Sequence, residues 1–314
     1  LKILKKKLKK MNNIRKRFKE FFRNGYFTRV DDSHILDLYI GLNEKGQYTL
    51  EYRGEFNIKE VKGSGAIGVS QGATSKYSYL LVFLKDTDMF DTFCALIEDI
   101  IETTRPCPDN SSGYQVVTNR LYSWKKLFSS KKKKMDESAI MGLIGELYFL
   151  DNYMFPKYGK SESLNAWSGQ ELTHKDFSLE DMWYEVKSIH SGKDSVKISS
   201  LEQLQSINYG ELVIIPMERM SPAFNGVTLS KLANKIMKEF ESDEDLDKFI
   251  SKMSEQGFGF DAEIDEYVYQ IIGIDRYAVN SDFPKIIRVE IPPAIVQAQY
   301  DISITSILPF LISE

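Results

Sequence analysis

The sequence predicts a mixed α+β / α/β fold. Its core is a helix, a mixed central sheet and a second helix, preceded by a β-rich N-terminal domain and followed by a mixed α/β C-terminal part. Three observations predict this. A nearly all-apolar helical run follows Asp136. Two strand-like runs, Lys175–Leu179 and Met182–Ile189, come next with only Glu180 and Asp181 between them. Residues from about 26 to 85 are rich in Tyr, Val, Ile and Gly, in runs of strand length. At 314 residues the chain is long enough for two or three domains with their own cores. With 42% hydrophobic and 27% charged residues it has the composition of a soluble globular protein.

Residues 1–25 are expected to form a basic N-terminal helix. Eleven Lys or Arg and a single acid, Glu20, fall in the first 23 residues. Leu4, Leu8, Met11, Phe18 and Phe22 recur at helical spacing. Such a helix tracks phosphates, lies on a membrane surface, docks on a partner or caps the next domain, and the sequence leaves these open. Residues 26–130 are expected to be the β-rich domain with following helices. Ile35–Ile40 and Tyr79–Leu84 read as strands. Asp88–Thr103 places Phe90, Phe93, Ile97 and Ile100 on one helical face, and Pro106 and Pro108 end it. A helix near 115–128 leads to the basic run Lys131–Lys134.

Residues 131–220 are expected to be the core. Asp136 can N-cap a helix from Glu137 to about Phe155, stopped by Pro156. Ala139, Gly142, Leu143, Glu146, Phe149, Leu150 and Tyr153 fall on one side, with Glu146 the only charge on the stripe. Ile144, Tyr148 and Phe155 make the other side apolar too, which predicts burial. Gly142 and Gly145 allow another element to approach closely. Leu212–Pro216 reads as a buried strand closing the sheet. Residues 221–314 are the accessory part, with a helix from Thr228 to about Met253 and strands over Tyr267–Ile274, Ile286–Val289 and Tyr300–Ile304. It has the character of a specificity or dimer module.

The chemistry is concentrated in the core. Side chains two apart on a strand share a face, so Glu185 and Lys187 point the same way. A two-residue turn at Glu180-Asp181 pairs 179 with 182, and therefore 176 with 185. Opposed Cβ atoms in an antiparallel pair lie roughly 5 Å apart. Two carboxylates that close repel unless a cation lies between them. A one-residue slip would turn one acid to the other face. Glu146, on its apolar stripe, needs a partner or a metal if it is buried. Taken singly, Glu146 reads as a boundary residue, Glu185-x-Lys187 as a solvated strand face and Asp176 as a turn residue. In this order they make three carboxylates beside one lysine, the composition of a divalent-metal site that cuts phosphodiesters.

The pattern resembles the core of the PD-(D/E)XK nuclease superfamily. It is most similar to a bacterial family of unknown function within it. The resemblance rests on Gly63–Val69, Asp91–Phe93, Arg120–Trp124, Gly142–Leu147, Trp167–Gly169, Asp176–Phe177, Glu185–Ser188, Gln203–Leu204 and Phe283–Ile286. It runs through most of the chain and is expected to leave out the first thirty residues. It implies a restriction-endonuclease-like core in which Asp176 and Glu185 are the motif acids, Lys187 its lysine and Glu146 an extra acid from the first core helix. His174-Lys175 stands before Asp176 where the motif has proline. The resemblance further implies Mg²⁺ or Mn²⁺ held by Asp176, Glu185, Glu146 and the Val186 carbonyl, with Lys187 orienting a water or stabilising charge on the phosphate. It implies a DNA substrate, 5′-phosphate ends, a homodimer or a complex with neighbouring defence proteins, and a restriction or phage-defence setting.

Other residues are open to two readings. Gln203 is either a nucleic-acid contact from a following helix or the N3 residue of a capping box with Ser200. His174 would share a face with Asp176, touching DNA or a metal's outer shell, or is a plain surface residue. Lys131 and Lys132 belong to a linker placed to touch a DNA backbone. Gly63–Gly68 matches G-x-G-x-x-G, but Val69-Ser70-Gln71-Gly72 does not start a helix, so a turn is expected. His34, His174, His190, Cys94 and Cys107 have no zinc-ligand spacing. Two cysteines without an evident pairing fit a reducing compartment, and with no long apolar run a cytoplasmic protein is expected. The net charge of −4 leaves a second reading standing: a catalytically silent nuclease-like subunit that binds DNA or scaffolds a defence complex. An RNase is a third.

Overall fold

Period-two burial organises the first part of the chain. The computed structural model describes residues 14–21, 23–128, 135–168, 175–261 and 263–312. These divide into two units. The first holds the chain up to Lys132 with Ser242–Ser254 and Gly259–Asp261; the second holds Lys133–Glu241, Glu255–Phe258 and Ala262–Glu314. The class is α+β. The expected strand Ile35–Ile40 and its neighbours form one antiparallel sheet: β1 (Phe27–Arg29), β2 (Asp37–Leu42), β3 (Tyr48–Gly54), β4 (Ile67–Ala73) and β5 (Ser78–Leu84), in the order β1-β2-β3-β5-β4. Leu38, Ile40, Leu50, Tyr52, Leu80, Val82 and Leu84 alternate inward and are buried.

Helices cover this sheet's inner face. From the N-terminal helix the structure describes α1 (Ile14–Glu20), which buries Ile14 and Phe18. After β5 come α2 (Phe90–Thr103) and α3 (Asn110–Trp124). The third helix starts earlier than the sequence periodicity predicts, because Asp109 caps it by accepting from the Ser112 N–H at 2.8 Å. Gly63–Gly68 leads into a strand, not a helix, as expected. His34 is buried, with Nε2 3.0 Å from the Ile101 carbonyl, a structural role.

The second unit opens with α4 (Glu137–Phe149), capped by Asp136 through the Ala139 N–H at 2.8 Å. Pro156 does not stop the helix. A π-helical turn, Leu150–Met154, leads into α5 (Phe155–Tyr158) and then α6 (Lys160–Ala166). A proline ring clashes with the carbonyl four residues back, and a widened turn just ahead of Pro156 relieves it. The expected strands follow as β6 (Phe177–Ser178) and β7 (Met182–His190), then β8 (Ser195–Ile198) and β9 (Tyr209–Met220).

The central sheet of this unit is mixed. Its order is β10-β9-β7-β6, with β10 (Val268–Ile271) and β11 (Asp275–Ala278) both antiparallel to β9, while β7 and β9 run parallel. Pro216 is tolerated inside β9. Its carbonyl accepts from the Ile272 N–H in the gap between β10 and β11, so its missing N–H faces that gap as well. β8 pairs with β12 (Tyr300–Ser303) in a separate ribbon. One core cluster joins Trp183, Val196, Ile198, Leu212, Ile214 and Ile302.

Several predicted elements differ. The second core helix, expected from Ser200, is a single 3-10 turn, Leu201–Gln203. The helix from Thr228 is two: α7 (Leu229–Glu239), which packs beside α4, and α8 (Asp243–Glu255). Ser242 restarts the chain, its carbonyl accepting from Leu246. Most of α8 belongs to the first unit, where Asp247 pairs with Lys126 at 2.7 Å. Residues 221–314 are thus divided between the units. Ile286–Val289 is not a strand but leads into a 3-10 turn, Arg288–Glu290. Pro284 and Pro292-Pro293 bracket it, and no strand lies beside it to pair with among the described residues.

Two glycines fix close approaches. A Cβ on Gly145 would lie 2.0 Å from the Ser188 hydroxyl, which can rotate aside. A Cβ on Gly210 would lie 1.9 Å from the buried Trp183 indole, which cannot. Gly210→Ala is therefore expected to cost about 1–3 kcal/mol in urea unfolding by overpacking. Gly142, with nothing near its Cβ position, is the control: Gly142→Ala should be neutral or stabilising by up to about 1 kcal/mol.

Candidate active site

The register that brings two acids together is set by a tight turn. Leu179 N–H donates to the Met182 carbonyl at 2.8 Å, and β6 pairs Phe177 with Tyr184 and Ser178 with Trp183. One more step places Asp176 opposite Glu185. Asn208 Nδ2 donates to the Glu180 carbonyl at 3.0 Å and steadies the turn. Ser168 N–H donates to the Asp176 carbonyl at 2.8 Å, and Trp167 bridges Phe177, so the residues just after α6 lie beside the short strand.

On β7 the side chains alternate. Tyr184 and Ser188 face α4, where the Phe149 ring packs tilted with its centroid 5.2 Å from that of Tyr184. Glu185 and Lys187 face the other way. Asp176 Oδ2 accepts from the Val186 N–H at 2.7 Å. The Glu185 side chain is 1% exposed, and Lys187 Nζ lies 2.7 Å from its Oε1. Among the described residues the Lys187 ammonium is the one partner of Oε1, and Oε2 is buried with no hydrogen-bond partner. A buried carboxylate so placed is poorly stabilised as an anion.

The electrostatics follow from this burial. Glu185 is pushed up to about 8, first by burial and then by Asp176, against the pull of Lys187. Glu146 is also pushed up to about 8 by burial and Asp176. As a residue Glu146 keeps some exposure, but its carboxyl group is enclosed: Trp167 Nε1 donates to Oε2 at 2.8 Å and Gln256 Nε2 at 3.4 Å. Asp176 is raised by burial, with Lys187, the Val186 N–H and Lys175 opposing. Asp176 therefore raises both glutamates, and Lys187 opposes all three shifts.

Sequence reasoning missed three of the residues that shape this site. Trp167 and Gln256 hold Glu146. Lys175 Nζ donates to the carbonyls of Glu202 at 2.5 Å, Gln203 at 2.6 Å and Gln205 at 3.3 Å, and lies 3.9 Å from the Trp183 ring centroid. Burial pulls its ammonium down to about 8. The signal for Lys175 is its place, directly before Asp176 where the motif has proline.

The other expected residues fare differently. Asp176, Glu185 and Lys187 are brought together, and Glu146 comes close enough for Asp176 and Lys187 to move its pKa. Gln203 makes no capping box. Ser200 forms no side-chain cap, and Gln203 Oε1 accepts instead from the Ser199 N–H at 2.7 Å, because a 3-10 turn has no N3 geometry to complete. Gln203 reaches the site only through its main-chain carbonyl, on Lys175. His174, Lys131 and Lys132 lie outside the described residues. Among the described residues no group of three or more His, Cys, Asp or Glu is arranged to hold a metal ion. Cys94 and Cys107 are free and buried. No helix among the described residues is long and apolar enough to cross a membrane.

A family model described as "Putative PD-(D/E)XK family member (DUF4420)" matches residues 5–305. It reaches into the basic N-terminal stretch, which the sequence reading had left outside the resemblance. No curated protein and no solved structure matches the chain at a significant level.

A carboxyl whose folded pKa exceeds its unfolded value holds its proton more tightly when folded. Its stabilising contribution is full below the ordinary value of 4.5 and is lost as pH rises through about 8. Protein in chelator is therefore expected to lose melting temperature between about pH 5 and pH 8. Glu185→Gln, which cannot ionise, should flatten that slope and melt above wild type at the alkaline end. Thermal melts across this range read both.

Proposed function

The chain belongs to this PD-(D/E)XK-related family, and from that premise we propose that it is a divalent-metal-dependent DNA endonuclease of restriction or phage-defence type. The observation that carries the reading is Glu185: buried opposite Asp176, with Oε1 facing the Lys187 ammonium and no partner for Oε2 among the described residues. A purely structural buried acid would have both oxygens satisfied. Oxygen donors of this kind fit Mg²⁺ or Mn²⁺. Asp176 and Glu185 would hold the ion, with the Val186 carbonyl and Glu146 completing its oxygen ligands. A bound ion supplies Lewis acidity to the scissile phosphate and a lowered pKa to a water.

The chain's own groups do the rest. Lys187 is partly exposed and already beside Glu185, so its ammonium is free to turn toward a phosphate or an attacking water. Asp176, held by the Val186 N–H, keeps its second oxygen for the ion. Trp167 fixes the Glu146 carboxyl, which as a raised-pKa group can give up a proton when a cation enters. One such site cuts one strand. Double-strand cleavage needs two, from a homodimer or a complex with neighbouring defence proteins. The Glu185–Lys187 ion pair, and the lack of a ready three-ligand group among the described residues, favour the silent DNA-binding or scaffold reading as the alternative.

Plasmid nicking with Mg²⁺ or Mn²⁺ separates the two. Wild type should cut. Asp176→Asn and Lys187→Ala should each lose roughly 10²–10³-fold in rate, the cost of removing one electrostatic partner of the transition state. Equal cutting by all three proteins would remove the site from the reaction. No cutting by any of them, with DNA bound equally, would favour the silent subunit.

A further inference from the structure

Asp176 has a weakness that its strand does not cure. It stands just before β6, which is two residues long, pairs with β7 over those two residues, and on its other side meets a single bridge from Trp167 to Phe177 and the Ser168 N–H on the Asp176 carbonyl. Two ladder residues at a sheet edge fray easily. Something beyond strand pairing must keep the Asp176 carboxylate opposite Glu185.

The neighbouring side chain is built for this. The Lys175 ammonium spans to the turn after β8, where the carbonyls of Glu202, Gln203 and Gln205 accept from it. An ammonium has three donors, and these three carbonyls engage them, leaving none aimed at a phosphate. The same ammonium lies 3.9 Å from the centroid of Trp183, within cation–π range. Trp183 is a fixed platform: its Nε1 donates to the Asn208 carbonyl at 3.1 Å, and its ring presses on Gly210, where no Cβ would fit. The 3-10 turn standing in for the second core helix thus presents carbonyls to a cation that is anchored one residue from Asp176.

We propose that Lys175 is a positioning residue that pins Asp176 opposite Glu185 by tying the start of β6 to the 202–205 turn and to Trp183. The activity arm of its test rests on the nuclease reading; the structural arm does not. The structural sensor is the Val186 amide, which donates to Asp176 Oδ2. In Lys175→Met this amide should exchange at least ~10-fold faster, as expected for loosening a hydrogen bond to a charged acceptor. The Val213 amide on β9 serves as the control, and Lys175→Arg should restore protection.

Mn²⁺ affinity gives a sign that charge alone cannot mimic. Removing a cation beside Asp176 and Glu185 would by itself tighten Mn²⁺ binding. Loss of positioning weakens it, so Lys175→Met should bind Mn²⁺ several-fold more weakly and cut more slowly, with Lys175→Arg recovering most of both. Wild-type exchange at Val186 in Lys175→Met, or unchanged or tighter Mn²⁺ binding, would overturn the proposal. If wild type neither binds Mn²⁺ nor cuts, the nuclease reading fails and Val186 exchange still decides the role of Lys175. Should Lys175→Met fail to fold, Lys175→Gln carries the same comparison.

Discussion

Glu185 is buried to 1% exposure on β7, across from Asp176, and among the described residues its Oε2 has no hydrogen-bond donor. Desolvating a carboxylate is expensive, and a second acid opposite it adds repulsion. Lys187 offsets part of this at 2.7 Å. The remainder is met by holding protons at neutral pH, which is what pKa values near 8 on Glu185 and Glu146 express. A divalent cation would replace those protons. The strain of the site and its proposed chemistry have the same origin.

The surrounding structure serves to keep the acids where their repulsion would separate them. β7 lies between β9 and β6, and its middle is buried. Gly145 lets α4 close onto Ser188 and brings Glu146 near the edge strand. Trp167, at the end of α6, both bridges Phe177 and holds the Glu146 carboxyl. Lys175 and Trp183 secure the other end. Stability and positioning are supplied by neutral contacts and by one engaged ammonium, so the anionic pair need not stabilise itself.

Much of this was legible in the sequence because it is local. A two-residue gap and period-two alternation give the 176–185 register, although Glu-Asp is not a favoured turn, because Asn208 and the Leu179–Met182 bond hold it. Asp136 as a cap and Glu146 on an apolar stripe depend only on helix spacing. What was not legible depends on distant partners. Ser200-x-x-Gln203 has capping-box letters, yet the Lys175 ammonium takes the carbonyls of this turn and no helix follows. The continuation through Pro156 depends on a π-helical turn that periodicity cannot reveal. Ile286–Val289 has strand composition but no strand beside it among the described residues. α8 rejoins the first unit through Lys126, more than a hundred residues earlier in the sequence.

The most direct measurement is the number of protons released when Mn²⁺ binds, from calorimetry at pH 7 in buffers of different ionisation enthalpy. If a cation takes the place of protons on the Glu185–Asp176–Glu146 group, binding should release at least about one proton per ion, and less in Glu185→Gln. Mn²⁺ binding without proton release, or binding unchanged in Glu185→Gln, would contradict a metal site built on these buried acids.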